Sequence, residues 1–176
     1  MPASQATIRQ LDRPGDLGWV VMAHGEQYAA EFGWDTSFEA LVARIVADYA
    51  ETADPDADGA WIAEMDGRRV GCVFCVRGDE PGECKLRILL VDPVARGRAL
   101  GSRLVAQAIA FARGAGYRRM RLWTNDPLVA ARRVYLRHGF RLLAEKPHRS
   151  FGADLVGQTY ELDLGEAGAV QPPQNS

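Results

Sequence analysis

Secreted, membrane-spanning and disulfide-stapled proteins leave marks that this sequence lacks. Its 176 residues hold three cysteines, Cys72, Cys75 and Cys84. An odd number without a secretory signal points to a reducing compartment, so the expected location is the cytoplasm. Met1 to Asp12 has no basic region followed by an apolar stretch, the pattern a signal peptide needs. Apolar runs such as Ile88 to Val91 fall far short of the roughly 20 residues of a helical membrane span. Neither charge dominates: 21 basic residues face 23 acidic ones, for a net of −2. That balance excludes nucleic acid or an anionic membrane as a bulk partner. The arginines nevertheless gather between Arg87 and Arg149, leaving a local basic surface for an anionic small molecule.

What is present is an ordinary globular composition, 47% hydrophobic and 25% charged, at a length that suits one domain. Residues 1–165 are expected to form that domain and 166–176, rich in Gly, Pro and Gln, a disordered tail. The chain opens with a short strand over Ala6–Leu11. Leu17, Val20, Val21, His24 and Tyr28 then recur at helical spacing up to a stop at Gly33. Thr36 or Ser37 caps a second helix with an apolar stripe at Phe38, Leu41, Val42, Ile45, Val46 and Tyr49. Strands follow at 60–65 and 69–77, joined by the hairpin signal Asp66-Gly67, and a third at 84–91. A helix from about 100 to 113, a strand at 118–124, a helix capped near Asn125 or Asp126 with Pro127 in its first turn, and strands at 140–146 and 155–164 complete the pattern. The order β-α-α-β-β-β-α-β-α-β-β describes a mixed α/β domain with a mostly antiparallel sheet of about seven strands, about four helices and one parallel βαβ unit.

Chemistry concentrates at Val91-Asp92-Pro93-Val94-Ala95-Arg96-Gly97-Arg98-Ala99-Leu100-Gly101-Ser102. A buried strand runs into a turn of arginines and small residues where a helix begins. The first N–H groups of a helix lack internal partners, and its dipole makes that end electropositive. With Gly97, Ala99 and Gly101 keeping the approach clear, the segment reads either as a pyrophosphate cradle of backbone N–H groups or as a tight turn whose glycines serve geometry. No G-x-x-x-x-G-K-[ST] and no early G-x-G-x-x-G is present, so P-loop and dinucleotide folds are excluded.

Arg96-Gly97-Arg98-Ala99-Leu100-Gly101 resembles the acetyl-CoA signature R/Q-x-x-G-x-G/A of the GNAT acyltransferase superfamily, with Ala99 standing where glycine is usual. Tyr135-Leu136-Arg137-His138-Gly139-Phe140 resembles that family's Y-x-x-x-G-F, and the element order fits from about Thr7 to Leu164. More narrowly, Trp123-Thr124-Asn125-Asp126, Ala130-Ala131-Arg132-Arg133 and Ser150-Phe151-Gly152 through Gln158 look like the acetyltransferase half of proteins that fuse a MarR-type winged helix to a GNAT domain. The resemblance implies a GNAT fold, acetyl-CoA as co-substrate, no metal, and transfer of acetyl to a primary amine of a small molecule or a protein. It also implies a homodimer built on the last two strands. A second reading is a non-catalytic acetyl-CoA-binding sensor or interaction module.

On this resemblance Leu89, Leu90 and Val91 supply N–H donors to the carbonyl, and Arg96 through Ser102 hold the diphosphate. The asparagine that many relatives place seven residues before the tyrosine is Leu128 here, with Asn125 a substitute; Ala131 and Tyr135 complete the cofactor contacts. A lysine-like amine has a pKa of about 10.4, so some group must take its proton. Glu26 and Glu31 are base candidates, with His24 a third. Tyr135 is the candidate general acid for the departing thiolate. Tyr28 and Trp34 are candidate substrate contacts through ring and charge interactions. Arg87, in a central strand, either recognises a substrate carboxylate or makes a salt bridge, the latter being favoured. Cys72 and Cys75 alternate along one strand and point to opposite faces, which argues against a metal or redox pair.

Overall fold

The computed structural model describes residues 4–165; the expected tail at 166–176 lies outside them. Seven strands form one sheet in the order β1-β2-β3-β4-β5-β7-β6. They are β1 (Thr7–Gln10), β2 (Gly59–Met65), β3 (Arg68–Arg77), β4 (Glu83–Val91), β5 (Arg119–Asn125), β6 (Arg141–Ser150) and β7 (Ala153–Asp163). The helices are α1 (Asp16–Phe32), α2 (Thr36–Thr52), α3 (Leu100–Gly114) and α4 (Val129–Arg137), with a 3-10 turn at Pro93–Ala95. β4 and β5 are the parallel pair; the other neighbours run antiparallel.

The alternation of each strand divides the core between two faces. Leu104, Val105, Ala108 and Ile109 of α3 pack on Val73, Cys75, Leu86 and Met120. On the opposite face Val20 of α1 and Val42 and Val46 of α2 cover Ile62, Cys72, Phe74 and Leu90. Cys72 and Cys75 therefore do point to opposite faces, and all three cysteines are free and buried. Each fully buried Val or Leu contributes about 1.5–3 kcal/mol.

Two helix starts differ from the expectation. α2 is capped by Asp35, whose Oδ1 accepts from Ser37 N at 3.0 Å, because the aspartate already reaches the helix amides one residue before Thr36. α4 is capped at Leu128 without a side-chain bond. Asp126 is engaged elsewhere, its Oδ1 accepting from Val156 N of β7 at 2.7 Å, and Pro127 precedes the cap.

β4 carries the irregularity that shapes the site. Cys72 of β3 opposes Leu90 and Phe74 opposes Arg87, so Ile88 and Leu89 together face Val73. This is a β-bulge. Ile88 takes φ 46°, a left-handed conformation that costs a non-glycine residue roughly 1–2 kcal/mol. The extra residue breaks the alternation, so Arg87 and Ile88 both line the α1–α2 side. β4 and β5 pair only where Glu83–Lys85 meet Arg119–Arg121, and beyond that they separate.

α1 is fastened at its start by Asp16. Its carboxylate accepts from Arg9 Nη1 (2.8 Å), Arg9 Nη2 (2.9 Å), Arg69 Nε (2.8 Å) and the amides of Asp12 (3.2 Å) and Arg13 (3.0 Å). These donors hold the fully buried carboxyl well below the usual carboxylate range. The network joins β1, β3 and α1. Asp16→Ala is expected to cost about 3 kcal/mol by taking Arg69's carboxylate partner away and leaving Arg9 to Glu64 and the more distant Asp12, read as a lower urea midpoint at unchanged slope.

Candidate active site

The turn after β4 is held by Asp92, whose Oδ1 accepts from Val94 N at 2.9 Å. The chain from Arg96 to Ala99 is then exposed. Among the described residues, the backbone amides from Gly97 to Ser102 meet no acceptor, and α3 begins at Ala99 with no side-chain cap. Two residues make this possible by taking left-handed backbone: Gly97 at φ 75° and Ala99 at φ 54°. At Ala99 the cost lies in its own backbone strain rather than in the bulk of its methyl. The array of free amides at a helix N-terminus suits a diphosphate, and the cofactor's fit rests on that observation. Arg96 pairs with Glu31, and Arg98 Nη1 donates to Ser4 O at 3.1 Å. Ser102 Oγ bonds His138 Nε2 at 2.8 Å, so His138 ties α3 to the end of α4.

Tyr135 owes its position to the residues that follow it. Gly139, at φ 90°, accepts the left-handed conformation that ends α4. Gly139 N donates to Leu136 O and Phe140 N to Tyr135 O, each at 3.1 Å, and the Phe140 ring meets the Tyr135 ring edge-on at 5.8 Å. That is a Schellman cap with its apolar contact, and it explains the spacing Y-x-x-x-G-F in physical terms. Burial pushes the phenol well above its ordinary pKa, so it stays protonated across neutral pH.

Where β4 and β5 part, a cavity of about 360 Å³ opens between the sheet and α1–α2. It brings together Tyr28, Trp34, Arg87, Leu89, Asn125, Ala131 and Tyr135 from distant parts of the chain. Leu90 instead belongs to the core under α1–α2, and the Val91 carbonyl accepts from Gln27 Nε2 at 3.1 Å. Asn125 is buried, and its Oδ1 accepts from His148 Nε2 at 2.7 Å while His148 Nδ1 accepts from the Ser150 hydroxyl at 2.9 Å. Glu26 and Glu31 do not reach this cavity. They line a separate depression beside Arg68, Arg69 and Asp92, where Glu31 pairs with Arg96.

His24 does line the cavity. Its Nδ1 donates to Val20 O at 2.7 Å, and its buried Nε2 meets no partner among the described residues. Burial lowers its pKa to about 4, so the ring is neutral at pH 7 with a bare lone pair on Nε2. Tyr28 stacks on it at 5.7 Å and is itself pushed up by burial. The aromatic wall is backed from the far end of the chain. Phe151, in left-handed backbone at the β6–β7 turn, packs on Trp34 (5.0 Å) and Phe38 (5.1 Å) and accepts from Asp35 N through its carbonyl at 3.1 Å. β6 runs to Ser150 rather than Lys146, and this hairpin carries Phe151 to the α1–α2 junction. Sequence reasoning missed Phe151, Gln27 and the Ile88 bulge; the adjacent Phe151-Gly152 was the available signal for a tight hairpin.

Among the described residues no group of three or more His, Cys, Asp or Glu is placed to hold a metal ion, and no helix is long and apolar enough to cross a membrane.

Comparison with known proteins agrees with this geometry. Residues 19–140 match the acetyltransferase (GNAT) family. An uncharacterised N-acetyltransferase of Schizosaccharomyces pombe is 30% identical over 141 residues, covering 80% of this chain and 86% of that protein. One from Methanocaldococcus jannaschii is 34% identical over 90 residues, covering 48% and 40%. Among solved structures, the Salmonella typhimurium acetyltransferase yncA with its cofactor acetyl-CoA superposes at TM-score 0.71, with 20% identity over 98% of this chain and 100% of that one. A phosphinothricin acetyltransferase from Sinorhizobium meliloti in complex with acetyl-CoA superposes at 0.72, with 18% identity over 97% and 94%. A bulged and splayed β4, free amides opening α3 and a capped tyrosine on α4 thus stand in a chain that belongs to the GNAT family of acetyltransferases, an acyltransferase that uses acetyl-CoA.

Proposed function

We propose that the chain is an N-acetyltransferase that moves the acetyl group of acetyl-CoA to a primary amine by direct attack on the thioester. The observation that carries this reading is the cavity at the β4–β5 splay, which holds Tyr135 and His24 together with the bulge residues Ile88 and Leu89. Acetyl-CoA supplies the activated acyl group. The amides of residues 97–102 hold its diphosphate, and the separation of β4 from β5 leaves room for the thioester arm. The Leu89 amide, withdrawn from regular pairing by the bulge, donates to the carbonyl oxygen as charge gathers there. Tyr135 gives its proton to the departing sulfur. His24 Nε2 accepts a hydrogen bond from the incoming amine, whose N–H proton becomes acidic as the N–C bond forms. Glu31 acts on the cradle through Arg96, and Glu26 has no part in proton transfer.

The segments that resemble the acetyltransferase half of MarR-fused proteins lie side by side, since Asn125 pairs with Gly157 and Asp126 holds Val156. That contiguity supports a site of the same arrangement. β6 is an edge strand with Leu142 and Leu143 exposed, which supports a homodimer across the last two strands.

Tyr135→Phe is expected to lower kcat about 10²–10⁴-fold in a free-thiol release assay, with acetyl-CoA affinity by calorimetry within threefold of wild type. Unchanged kcat contradicts the acid role. His24 gives a pH signature of its own. Its folded pKa of about 4 lies below the ordinary 6.5, so the unfolded chain binds the proton first as pH falls. Stability is full above about pH 6.5 and is lost on descent towards pH 4, by about 3 kcal/mol in all. The difference in unfolding free energy between wild type and His24→Leu should change by about that amount between pH 7.5 and pH 4; a flat difference contradicts the buried neutral imidazole.

A further inference from the structure

The cations that line the cavity are Lys85, Arg87 and Arg121. Two of them are matched. Lys85 Nζ pairs with Asp79 at 2.9 Å, and Arg121 Nε with Glu161 at 2.8 Å and Glu83 at 3.4 Å. Arg87 is different. Among the described residues no carboxylate lies within 4.0 Å of it, and its guanidinium donates no hydrogen bond to the protein. The salt bridge that the sequence favoured is absent among the described residues: across the ladder Arg87 faces Phe74, and the nearby carboxylates of Glu83 and Asp58 are taken, the first by Arg119 and Arg121, the second by Arg77. Arg87 is half-buried, and the bulge fixes it on the same face as Ile88. A half-buried guanidinium with unused donors is costly unless something completes it. Burial works against its charge, and Asp48 and Asp79 compensate only from a distance.

The geometry points to a carboxylate on the acceptor itself, received by Arg87, so that the substrate is a small amino acid with an apolar body rather than a protein amine. This rests on the N-acetyltransferase reading above. The planar fork of a guanidinium matches a carboxylate through two parallel hydrogen bonds. The α2 wall is apolar, formed by Phe38, Leu41 and Ile45, while the other charged lining groups, Asp79, Glu83, Lys85 and Arg121, are paired with one another or with Glu161. A cavity of about 360 Å³ shared with the acetyl thioester end suits an acceptor body of roughly the size of one amino acid. A protein N-terminus would bring further chain and no carboxylate at the required place.

The test is the free-thiol assay with acetyl-CoA and matched pairs of acceptors: leucine, methionine and phenylalanine, each against its own carboxamide. The carboxamides have the less basic, more often neutral amine, so intrinsic reactivity favours them. The expected result is a kcat/KM at least 30-fold higher for the acids. Arg87→Met should lower kcat/KM for the acids about 100-fold, mainly through KM, and bring the acid-to-amide ratio close to one. Arg87→Lys, keeping charge without the fork, should fall between. Thermal midpoints and acetyl-CoA titrations of both variants establish that they fold and bind the co-substrate. Amides used as well as acids, or an acid-to-amide ratio indifferent to Arg87, overturns this inference and leaves amine acetylation standing. Acetyl-CoA binding with turnover of no amine overturns both.

Discussion

One unpaired step in a β-ladder organises this molecule. Where Ile88 and Leu89 share a single partner on β3, β4 bends away from β5, and the sheet opens along the line where two parallel strands would otherwise continue to bond. Left unpaired and buried, such backbone would be expensive. It is tolerable because the rest of the fold over-determines it. β3 holds the far side of β4 on both flanks of the bulge, and β5 is secured along its full length by β7. The strain at Ile88 sits in the lining of the cavity, as stored strain at functional sites often does.

Around that opening the two ends of the chemistry are supplied by opposite faces. The α3 side contributes a helix start with unspent amides, made available by Gly97 and by a strained Ala99. The α1–α2 side contributes an aromatic wall in which Trp34, Phe38 and Phe151 pack together, locking the β6–β7 hairpin against the helix junction. Charge is handled differently on the two sides. At the cradle the fixed dipoles of the backbone do the attracting, and Arg96 is partly absorbed by Glu31. In the cavity burial drives His24 and Tyr135 towards their neutral forms, His24 unprotonated and Tyr135 protonated. One neutral acceptor and one neutral donor flank the same space, an arrangement suited to moving protons at neutral pH.

The parts legible in the sequence were those with a local cause. Apolar periodicity set the strands and helices, Asp66-Gly67 marked a hairpin, and Gly139-Phe140 marked both the end of α4 and the placement of Tyr135. The cradle was legible because arginines and small residues stand between a strand and a helix. What local pattern did not disclose were relations between segments. Glu26 and Glu31 were attractive as bases on α1, yet helical phase turns Glu26 away from the face that carries His24 and Tyr28, and Glu31, in phase with that face but near the helix end, is held by Arg96. Arg87 was expected in a salt bridge, and only the register shows its neighbours already paired. The bulge left no composition signal, since isoleucine is an unfavourable residue for left-handed backbone. Asp126 looked like a helix cap until β7 was seen to occupy it.

The account stands on main-chain amides of residues 97–102 gripping the diphosphate of the coenzyme. Calorimetric titration with acetyl-CoA and, separately, with S-acetyl-pantetheine, which carries the same thioester arm without the nucleotide diphosphate, tests that most directly. Acetyl-CoA should bind with a Kd in the micromolar range or below, and the truncated thioester at least 100-fold more weakly, about 2.7 kcal/mol. Equal affinity for the two would contradict it.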